Sequence, residues 1–489
     1  MTTAASNQSN ESAPLDPFEG VDENGRMAPK HYDAILLASF GGPEGQEDVI
    51  PFLRNVTRGR GIPDERLEEV ATHYRANGGI SPINEQNRAL KAALEAELKR
   101  RGIDTPVLWG NRNWAPYIKD VLQEAYDTGY RRLLMVTTSV YSSYSSCRQY
   151  REDLGMNLLA TGLDKKLQVD KVRQYFDHPG FVEPFVEGVR DSLARVREQL
   201  AERGEEDGKI EILFSTHSIP TADAEASGPR DREFEEGSAY VAQHLANARA
   251  IIDRIPEAAG VDWQLVYQSR SGSPHTPWLE PDINDAIAEL PAKGVKGAVI
   301  VPLGFVSDHM EVLWDLDTEA METCRELGLA AHRAPTPGIH ETFVSGLVDL
   351  LSERTVEHNI ADRPAVTKLG PWYDVCRPGC CANLRGEKPT IAGADSPWAC
   401  SSGTLAGADR YPGQCPGRHP DHNGRERAVR TRRLRRRTGA CPHGRRHQPR
   451  CAVPDRRHRS FCCRAARFAA GRELRRRRAF PEGSADRRG

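Results

Sequence analysis

Eight short apolar segments alternate with helical stretches between residues 34 and 355 of this chain. Such continuous runs of Val, Ile, Leu and Phe are typical of strands that are buried on both faces of a parallel sheet. Strands that alternate with helices predict parallel sheets built from right-handed crossovers. Four strands in each half therefore predict an α/β fold with two similar doubly wound domains. The predicted strands are 34–40, 107–114, 132–141 and 167–175, then 210–217, 263–270, 297–305 and 329–336.

The carboxyl ends of these strands are the expected ligand positions, because ligands of such sheets bind in the crevice beyond them. These ends carry the turn after Phe40, the Ser/Tyr-rich segment 137–147, His217, and the segments 268–273 and 304–311. His217 ends a strongly apolar run. A histidine after a strand is more often a hydrogen-bonded structural residue than a catalyst, so its neighbours have to decide its role.

Acidic residues recur at i, i+4, i+8 and i+11 in the segment 307–322, as Glu311, Asp315, Glu319 and Glu322. On an α-helix this spacing predicts one ridge of carboxylates. Like charges four residues apart destabilise a helix by a few tenths of a kcal/mol, so the ridge favours a bound cation. The alternative is a solvated helix face. Crowded carboxylates also raise one another's pKa values, which would let one of them accept a proton near neutrality.

A histidine opposite these carboxylates predicts a site for a divalent metal in transit, such as Fe²⁺, with nitrogen and oxygen ligands together. The sequence has no H-E-x-x-H motif and no paired C-x-x-C motif, which argues against a permanent zinc centre. A hydrolase is the competing interpretation. However, G-x-S-x-G is missing, and the serines beside His217 lack the context of a nucleophile elbow.

Charge is distributed unevenly along the chain. Residues 401–489 hold 25 Arg and 7 acidic residues, whereas the remainder holds 42 basic and 62 acidic residues. An acidic body suits a protein that handles cations and argues against nucleic acid as a partner, including RNA bound through the Arg-rich tail. No apolar run approaches the ~20 residues that cross a bilayer, and the start lacks a signal peptide, so we expect no integral membrane segment and a cytoplasmic protein.

Composition also predicts the domain organisation. The start is polar and poor in apolar residues, which predicts disorder. The end is dense in Arg, Pro and Gly without apolar periodicity, which predicts disorder or a GC-rich gene translated out of frame. The predicted segments are a disordered lead-in (1–30), a first domain (31–175 with 340–360), a second domain (176–339), a cysteine-bearing extension (361–399) and the Arg-rich tail (400–489).

Six blocks of the sequence resemble the ferrochelatase family, in the family's order. ILFSTHSIP resembles the S-x-H-[GS]-[IL]-P segment of that family, and PLGFVSDHMEVLWDLD resembles its P-x-x-F-x-S-D-H-x-E-x-L-[YW]-[DE]-x-D segment. The other four blocks are SFGGPEGQEDVIPFL, GGISPINEQ, TTSVYSSYSS and VYQSRSGSPHTPWLEP. The resemblance covers residues 32–355. It implies two Rossmann-like, chelatase-type domains with a porphyrin cleft between them, and the insertion of Fe²⁺ into a porphyrin.

The resemblance also implies roles for individual residues. His217 matches the metal-site histidine of the family, Glu311 its paired carboxylate, and Asp315 the next acidic position, so these three are the expected ligands of the incoming iron. Phe40 stands where several relatives have Tyr or Met. Because Phe cannot coordinate iron, we expect a stacking or distortion contact to the porphyrin there, with a plain core aromatic as the alternative.

The HSIP form of the histidine segment resembles bacterial ferrochelatases that use coproporphyrin III. Its four propionates would need polar partners, for which the candidates are Ser139, Tyr141, Ser142, Tyr144 and Arg148, the last as a propionate clamp. Protoporphyrin IX is the alternative substrate, and a non-catalytic porphyrin or iron carrier is the alternative function. The family's place in haem biosynthesis makes another enzyme of that pathway a candidate partner.

Cysteines are sparse until Cys376, Cys380 and Cys381 arrive together, which indicates metal ligation rather than a disulfide scaffold. Some ferrochelatases carry a 2Fe-2S cluster on one internal and three C-terminal cysteines. By that resemblance the four ligands would be Cys147, Cys376, Cys380 and Cys381. Unligated thiols or a labile zinc site are the alternatives.

Overall fold

In the computed structural model, the described residues form two four-stranded parallel sheets. The strand order is β2-β1-β3-β4 in the first sheet and β6-β5-β7-β8 in the second, so the two sheets share one topology. The predicted fold class is confirmed. The strands are β1 (Ala34–Ser39), β2 (Val107–Asn111), β3 (Arg132–Thr137), β4 (Gln168–Lys171), β5 (Lys209–His217), β6 (Asp262–Gln268), β7 (Val295–Val301) and β8 (Ala330–Arg333).

Helices connect the strands, as parallel pairing requires. The α-helices are α1 (Val49–Val56), α2 (Asp64–Ala76), α3 (Ile83–Arg100), α4 (Ile118–Thr128), α5 (Gln149–Thr161), α6 (Pro179–Glu202), α7 (Thr221–Glu225), α8 (Ala239–Ile252), α9 (Ile283–Glu289), α10 (Met310–Val312), α11 (Met321–Glu326) and α12 (Glu341–Thr355). Short 3₁₀ turns cover Gln46–Asp48, Pro256–Ala258 and Pro291–Lys293. The described residues also form two π-helices, π1 (Tyr144–Arg148) and π2 (Leu313–Ala320).

One hydrophobic cluster joins the two sheets. It includes Ile35 of β1, Val189 of α6, Phe214 of β5 and Leu347 of α12, all at most 3% exposed. The central strands β1 and β5 are buried on both faces, which explains their continuous apolar runs. The two sheets therefore belong to one compact unit, and their division into two domains remains a prediction.

The structure describes residues 21, 25–271, 275–356 and 362–393. Residues 1–20 and the tail 400–489, both predicted to be disordered, lie outside this range. Residues 25–30, predicted to belong to the disordered lead-in, instead make defined contacts. Met27 is 1% exposed, and its N–H donates to the Asp374 carboxylate at 2.9 Å. The sequence could not show this contact, because the partner lies near the other end of the chain.

The cysteine-bearing extension packs onto the first half through buried charges. Asp374 receives that Met27 N–H and lies 2.8 Å from the Arg363 guanidinium. Arg354 of α12 lies 3.9 Å from the same carboxylate and is 1% exposed. Charges removed from water need such partners, so the extension is part of the folded body. Within the described residues no helix is long and apolar enough to cross a membrane.

Candidate active site

His217 ends β5, so the strand fixes its backbone while its side chain reaches the sheet edge with one third of its surface exposed. Its Nδ1 donates to the Ser218 carbonyl, which leaves the lone pair on Nε2 when the ring is neutral. Nε2 lies 3.7 Å from Oε2 of Glu311. Burial alone would lower the pKa of His217, but Glu311 and the Ser218 carbonyl raise it above its usual 6.5.

Glu311 is carried by α10, and the loop before that helix aims it at the histidine. His309 caps the helix by accepting the Glu311 N–H on Nδ1 at 3.2 Å. Burial alone would raise the pKa of Glu311, but His217 and His309 lower it to about 2. Burial, together with the cation that His217 can become, lowers the pKa of His309. The Glu311 carboxylate is therefore ionised throughout the physiological pH range.

Asp315 stands on π2 and behaves differently from Glu311. Burial, and then the nearby charges of Glu311 and Glu319, raise its pKa to about 8, against an opposing hydrogen bond from Ser269. Gln268, the last residue of β6, donates to the Glu311 carbonyl at 3.1 Å and lies 3.4 Å from the Asp315 carboxylate. The site thus holds one permanent carboxylate and one carboxyl group that exchanges a proton near neutral pH.

The α-helical ridge predicted over 311–322 needs correction. The segment is a π-helix from Leu313 to Ala320 and becomes an α-helix again only at Met321. A π-helix has a wider turn than an α-helix, and such turns are often found at functional sites. Asp315 is therefore turned toward Ser269, whereas Glu319 accepts a hydrogen bond from the Trp314 indole at 3.0 Å.

The first half of the chain contributes Phe40 and the glycine turn that follows it. The exposed fraction of Phe40, directly after β1, is 36%, and its ring meets Phe52 edge-on at 6.3 Å. Gly41 follows with φ +82°, where a Cβ would lie 2.8 Å from the Cβ of Asn111. The glycine in the turn after Phe40 therefore allows the Asn111 side chain to pack closely against the backbone. The substantial exposure of Phe40 favours the predicted contact role over a plain core aromatic.

Helix α2 of the first half reaches the acidic residues of the second half. The His73 ring stacks on Trp314 at 4.1 Å, with 9° between the planes. Burial, and then the charges of Glu311 and Asp315, raise the pKa of Tyr74. The phenol therefore stays protonated beside the two carboxyl groups.

Two of the predicted porphyrin contacts are interior residues. Tyr141 is 2% exposed, stacks on His244 at 3.5 Å and donates to the Leu303 carbonyl at 3.1 Å. Ser142 is 1% exposed and exchanges two hydrogen bonds with Gln243. Both side chains are thus used to join the first half to α8 and to the loop after β7. The prediction of these residues as porphyrin contacts is therefore withdrawn.

Arg148 also has a different partner from the one predicted. Its Nε donates to Glu152, a carboxylate with no exposure, at 3.0 Å, and its Nη1 donates to the Cys380 carbonyl at 3.3 Å. We therefore withdraw its role as a propionate clamp. Ser139 is half-buried, and its carbonyl accepts the Thr137 hydroxyl at 2.8 Å. Tyr144 is 4% exposed and its hydroxyl donates to Glu152 at 3.2 Å, but it also lines a cavity, which keeps it as a candidate contact.

The structure brings the four predicted cluster cysteines together. Cys147 of π1 joins Cys376, Cys380 and Cys381 in one buried group, each at most 4% exposed. Cys381 has φ +52°, and its sulfur accepts the Gly228 N–H at 3.2 Å. Among the described residues no group of three or more His, Cys, Asp or Glu side chains is arranged for a single metal ion. The thiols are therefore adjacent without forming a mononuclear site.

Several site residues were missed individually. His309, Gln268 and Ser269 lie in segments that the sequence marked as strand ends, but no signal separated them from their neighbours. His73 and Tyr74 lie on an ordinary amphipathic helix. The stacking of His73 on Trp314 and the proximity of Tyr74 to Glu311 and Asp315 depend on how the two halves pack, which the local sequence does not encode.

Comparison with known proteins decides the family. The family model named Ferrochelatase matches residues 32–355. The chain belongs to the ferrochelatase family. As a ferrochelatase it is a lyase of haem biosynthesis, with iron and a porphyrin as substrates, which confirms the resemblance seen in the sequence.

Three curated relatives of this ferrochelatase are named coproporphyrin III ferrochelatase. The protein from Leifsonia xyli subsp. xyli is 65% identical over 371 residues, which cover 75% of this chain and 95% of that protein. A relative from Tropheryma whipplei is 57% identical over 375 residues, covering 76% and 94%. One from Streptomyces griseus subsp. griseus is 54% identical over 377 residues, covering 76% and 98%. About a quarter of this chain has no counterpart in these relatives.

Proposed function

We propose that this ferrochelatase inserts Fe²⁺ into coproporphyrin III. The observation that carries the catalytic part is the His217–Glu311 pair, with Nε2 and Oε2 3.7 Å apart beside Asp315. A nitrogen and an oxygen ligand at one point suit Fe²⁺ in transit. The names of the curated relatives support the substrate.

Two pyrrole N–H protons must leave as iron enters, and the site offers a route for them. The single lone pair of His217 Nε2 binds iron first and accepts the first pyrrole proton once the iron has passed to the pyrrole nitrogens, since Nδ1 already carries a proton donated to Ser218. Glu311 stabilises the imidazolium that forms. Asp315, with a pKa of about 8, is mostly protonated at pH 7, so it releases its own proton to water before it takes the proton from His217 onward. The second proton then follows the same route.

By the family resemblance, Phe40 belongs to the wall of the proposed porphyrin site that faces His217, and its side chain offers no metal ligand. A ring held against Phe40 can bend toward His217, which exposes the pyrrole nitrogen lone pairs at the cost of binding energy. Metal therefore approaches from the His217 side. Of the polar contacts predicted earlier, we retain Ser139, which is half-buried, and Tyr144, which lines a cavity.

The substrate proposal is tested by steady-state rates under anaerobic conditions with Fe²⁺ and either coproporphyrin III or protoporphyrin IX. We expect kcat/KM to be at least tenfold higher for coproporphyrin III. A clear preference for protoporphyrin IX would refute the substrate but leave the enzyme class intact.

We also propose that Cys147, Cys376, Cys380 and Cys381 hold a 2Fe-2S cluster. Four cysteines are the usual ligand set of such clusters. The group is buried, and the Gly228 N–H points at one sulfur, as hydrogen bonds to cluster ligands do. When bound, the cluster would supply a one-electron redox centre, but no step of iron insertion uses it.

The cluster is tested on protein purified anaerobically. We expect visible charge-transfer absorption and two acid-labile sulfides per chain. Cys381→Ser should lose both signals. The matched control is Cys324→Ser, which replaces a buried cysteine of α11 outside the group and should keep both. Absence of both signals in the wild-type protein would rule out the cluster.

We propose a cytoplasmic location and leave another enzyme of haem biosynthesis as a candidate partner. The five cysteines of the described residues form no disulfide, which suits a reducing compartment. Cell fractionation with an antibody against the chain tests the location, and recovery in a secreted or membrane fraction would overturn it.

A further inference from the structure

Helix α8 carries a row of polar side chains that is buried. Tyr240, Gln243, His244 and Asn247 follow one another at i, i+3, i+4 and i+7, which places them on one face of the helix. Each of them is at most 3% exposed. A core-facing helix normally presents apolar side chains, because a buried polar group costs free energy unless it is hydrogen-bonded. The partners of this row therefore indicate what it does.

Two residues of the row meet the end of β5. His244 Nε2 lies 2.9 Å from Thr216 Oγ1, and the Tyr240 hydroxyl lies 2.9 Å from the same oxygen. The Tyr240 hydroxyl also donates to the His217 carbonyl at 2.9 Å. A Cβ on Gly304, in the loop after β7, would overlap the Thr216 hydroxyl, so this glycine leaves room for the network. Helix α8 is thus bonded directly to the backbone of the site histidine.

The direction of these hydrogen bonds follows from their partners. His244 Nδ1 lies 2.7 Å from the Tyr240 carbonyl oxygen, which can only accept, so Nδ1 carries the ring proton. Burial lowers the pKa of His244 to about 3, so the ring is neutral and Nε2 is an acceptor. Thr216 then donates its one hydroxyl proton to Nε2. The Tyr240 hydroxyl therefore has to be the donor, both toward Thr216 Oγ1 and toward the His217 carbonyl.

The first half of the chain keeps the His244 ring in this orientation. Tyr141 stacks on it, with 3.5 Å between the ring centres and 17° between the planes. The Asn247 amide holds Tyr141 in turn, because it donates to the Tyr141 hydroxyl at 3.1 Å and to the Phe176 carbonyl at 2.6 Å. The imidazole of His244 is thus fixed at both nitrogens and on one face.

We propose that Tyr240, oriented by Thr216 and His244, is a positioning residue for iron insertion. Its hydroxyl holds the His217 carbonyl, and the next carbonyl, that of Ser218, accepts His217 Nδ1. Together these bonds fix the backbone and the ring of His217, so Nε2 keeps its place in the site. The inference rests on the proposed function, because it concerns the role given there to His217. Tyr240 acts through the His217 backbone, so it should affect turnover rather than porphyrin binding.

The test compares Tyr240→Phe with Tyr175→Phe in anaerobic steady-state assays, with Fe²⁺ and whichever porphyrin the wild-type protein turns over faster. Tyr175 is the matched control, because its hydroxyl is also buried and donates to the carbonyl of Thr137, the last residue of β3, at 2.6 Å. Tyr240→Phe should lower kcat about tenfold, the size of one buried hydrogen bond, and change the porphyrin KM less than about twofold. Tyr175→Phe should lower the thermal midpoint similarly but keep kcat within about twofold of wild type.

The orientation of Tyr240 is tested at Thr216. Thr216→Val keeps the shape of the side chain but removes the donor to His244, so kcat should fall about tenfold here too. Thr216→Ser keeps the hydroxyl and should recover most of that loss. Tyr240→Phe added to His217→Ala should cause no further loss of kcat, since the positioned imidazole is already gone.

The outcomes separate this inference from the proposed function. If His217→Ala keeps the wild-type kcat, the proposed role of His217 fails. If His217→Ala loses activity but Tyr240→Phe turns over as fast as wild type, only the positioning role is refuted. Equal losses of kcat in Tyr240→Phe and Tyr175→Phe would also refute it, because a general loss of stability would then explain both. A further loss in the double variant would contradict it as well.

Discussion

The two halves of this ferrochelatase share one topology but place different chemistry at equivalent points. Phe40 follows β1 and His217 ends β5, and these two strands occupy the same position in their sheets. One half presents an aromatic face without a ligand atom, and the other presents a base paired with a carboxylate. The difference shows that the strand framework supplies positions, whereas single side chains supply the reaction.

The π-helices extend this comparison. π1 follows β3 and π2 follows β7, again equivalent strands. π1 carries Cys147 into the cysteine group, and π2 carries Asp315 toward Ser269 and Gln268. The same irregular turn thus serves a thiol group in one half and a proton acceptor in the other.

The largest expected effect comes from replacing His217 or Phe40, the residues at the ends of the two equivalent strands, with alanine. His217→Ala should lower kcat about 10³-fold or more, because it removes both a metal ligand and a base. Phe40→Ala should change kcat/KM only about 2- to 10-fold, the size of one aromatic contact. Both are measured by steady-state Fe²⁺ insertion, with porphyrin fluorescence to confirm binding. Equal losses of kcat/KM in His217→Ala and Phe40→Ala would mean that the two halves contribute the same chemistry.

The next effect concerns pH. His217 must be neutral to accept a proton, and its pKa lies above 6.5, so activity should fall as the pH drops through that raised value. Glu311→Gln removes the attraction that raises this pKa, so the acid limb of kcat/KM should move to lower pH while kcat falls about 10²-fold. Glu322→Gln, on α11 beyond π2, is the control and should leave the acid limb in place. If the acid limb of kcat/KM in Glu311→Gln stays at the wild-type pH, the proposed pairing of Glu311 with His217 is contradicted.

The smallest effect is on stability. The folded-state pKa of Asp315 is raised from 3.8 to about 8 by burial, so the folded state favours the protonated form. Wild-type stability from this group is fully present below pH 4 and is lost as the pH rises through 8. The Asp315→Asn variant has no carboxyl group to ionise at this position. The difference between its urea midpoint and the wild-type midpoint should therefore grow in its favour as the pH rises from about 4 to about 8. The control Asp317→Asn replaces a carboxylate paired with Arg333 at 2.7 Å and should show no such gain.

The sequence predicted the central strands β1, β3, β5 and β7 well, because each is a largely apolar run that local composition identifies. β4 reads QVDK and gave a weaker signal. His217, Glu311 and Asp315 could be chosen because they stand at strand ends in recognisable motifs. The π-helix of Asp315 was not predictable, since Leu313 to Ala320 fits an ordinary helix as well. Tyr141 and Arg148 were misplaced for a different reason. Their partners, His244 and Glu152, become neighbours only through packing.

The burial of Arg354 has a consequence for synthesis on the ribosome. Its guanidinium is 1% exposed, donates to Tyr32 at 2.8 Å and lies near Asp374. Tyr32, near the beginning of the chain, is translated long before Asp374, whose carboxylate completes this contact. We expect the first sheet to stay sensitive to protease on stalled nascent chains that end before Asp374, and to become protected once that residue emerges. Protection of the shorter chains would show that the first half closes without its last segment.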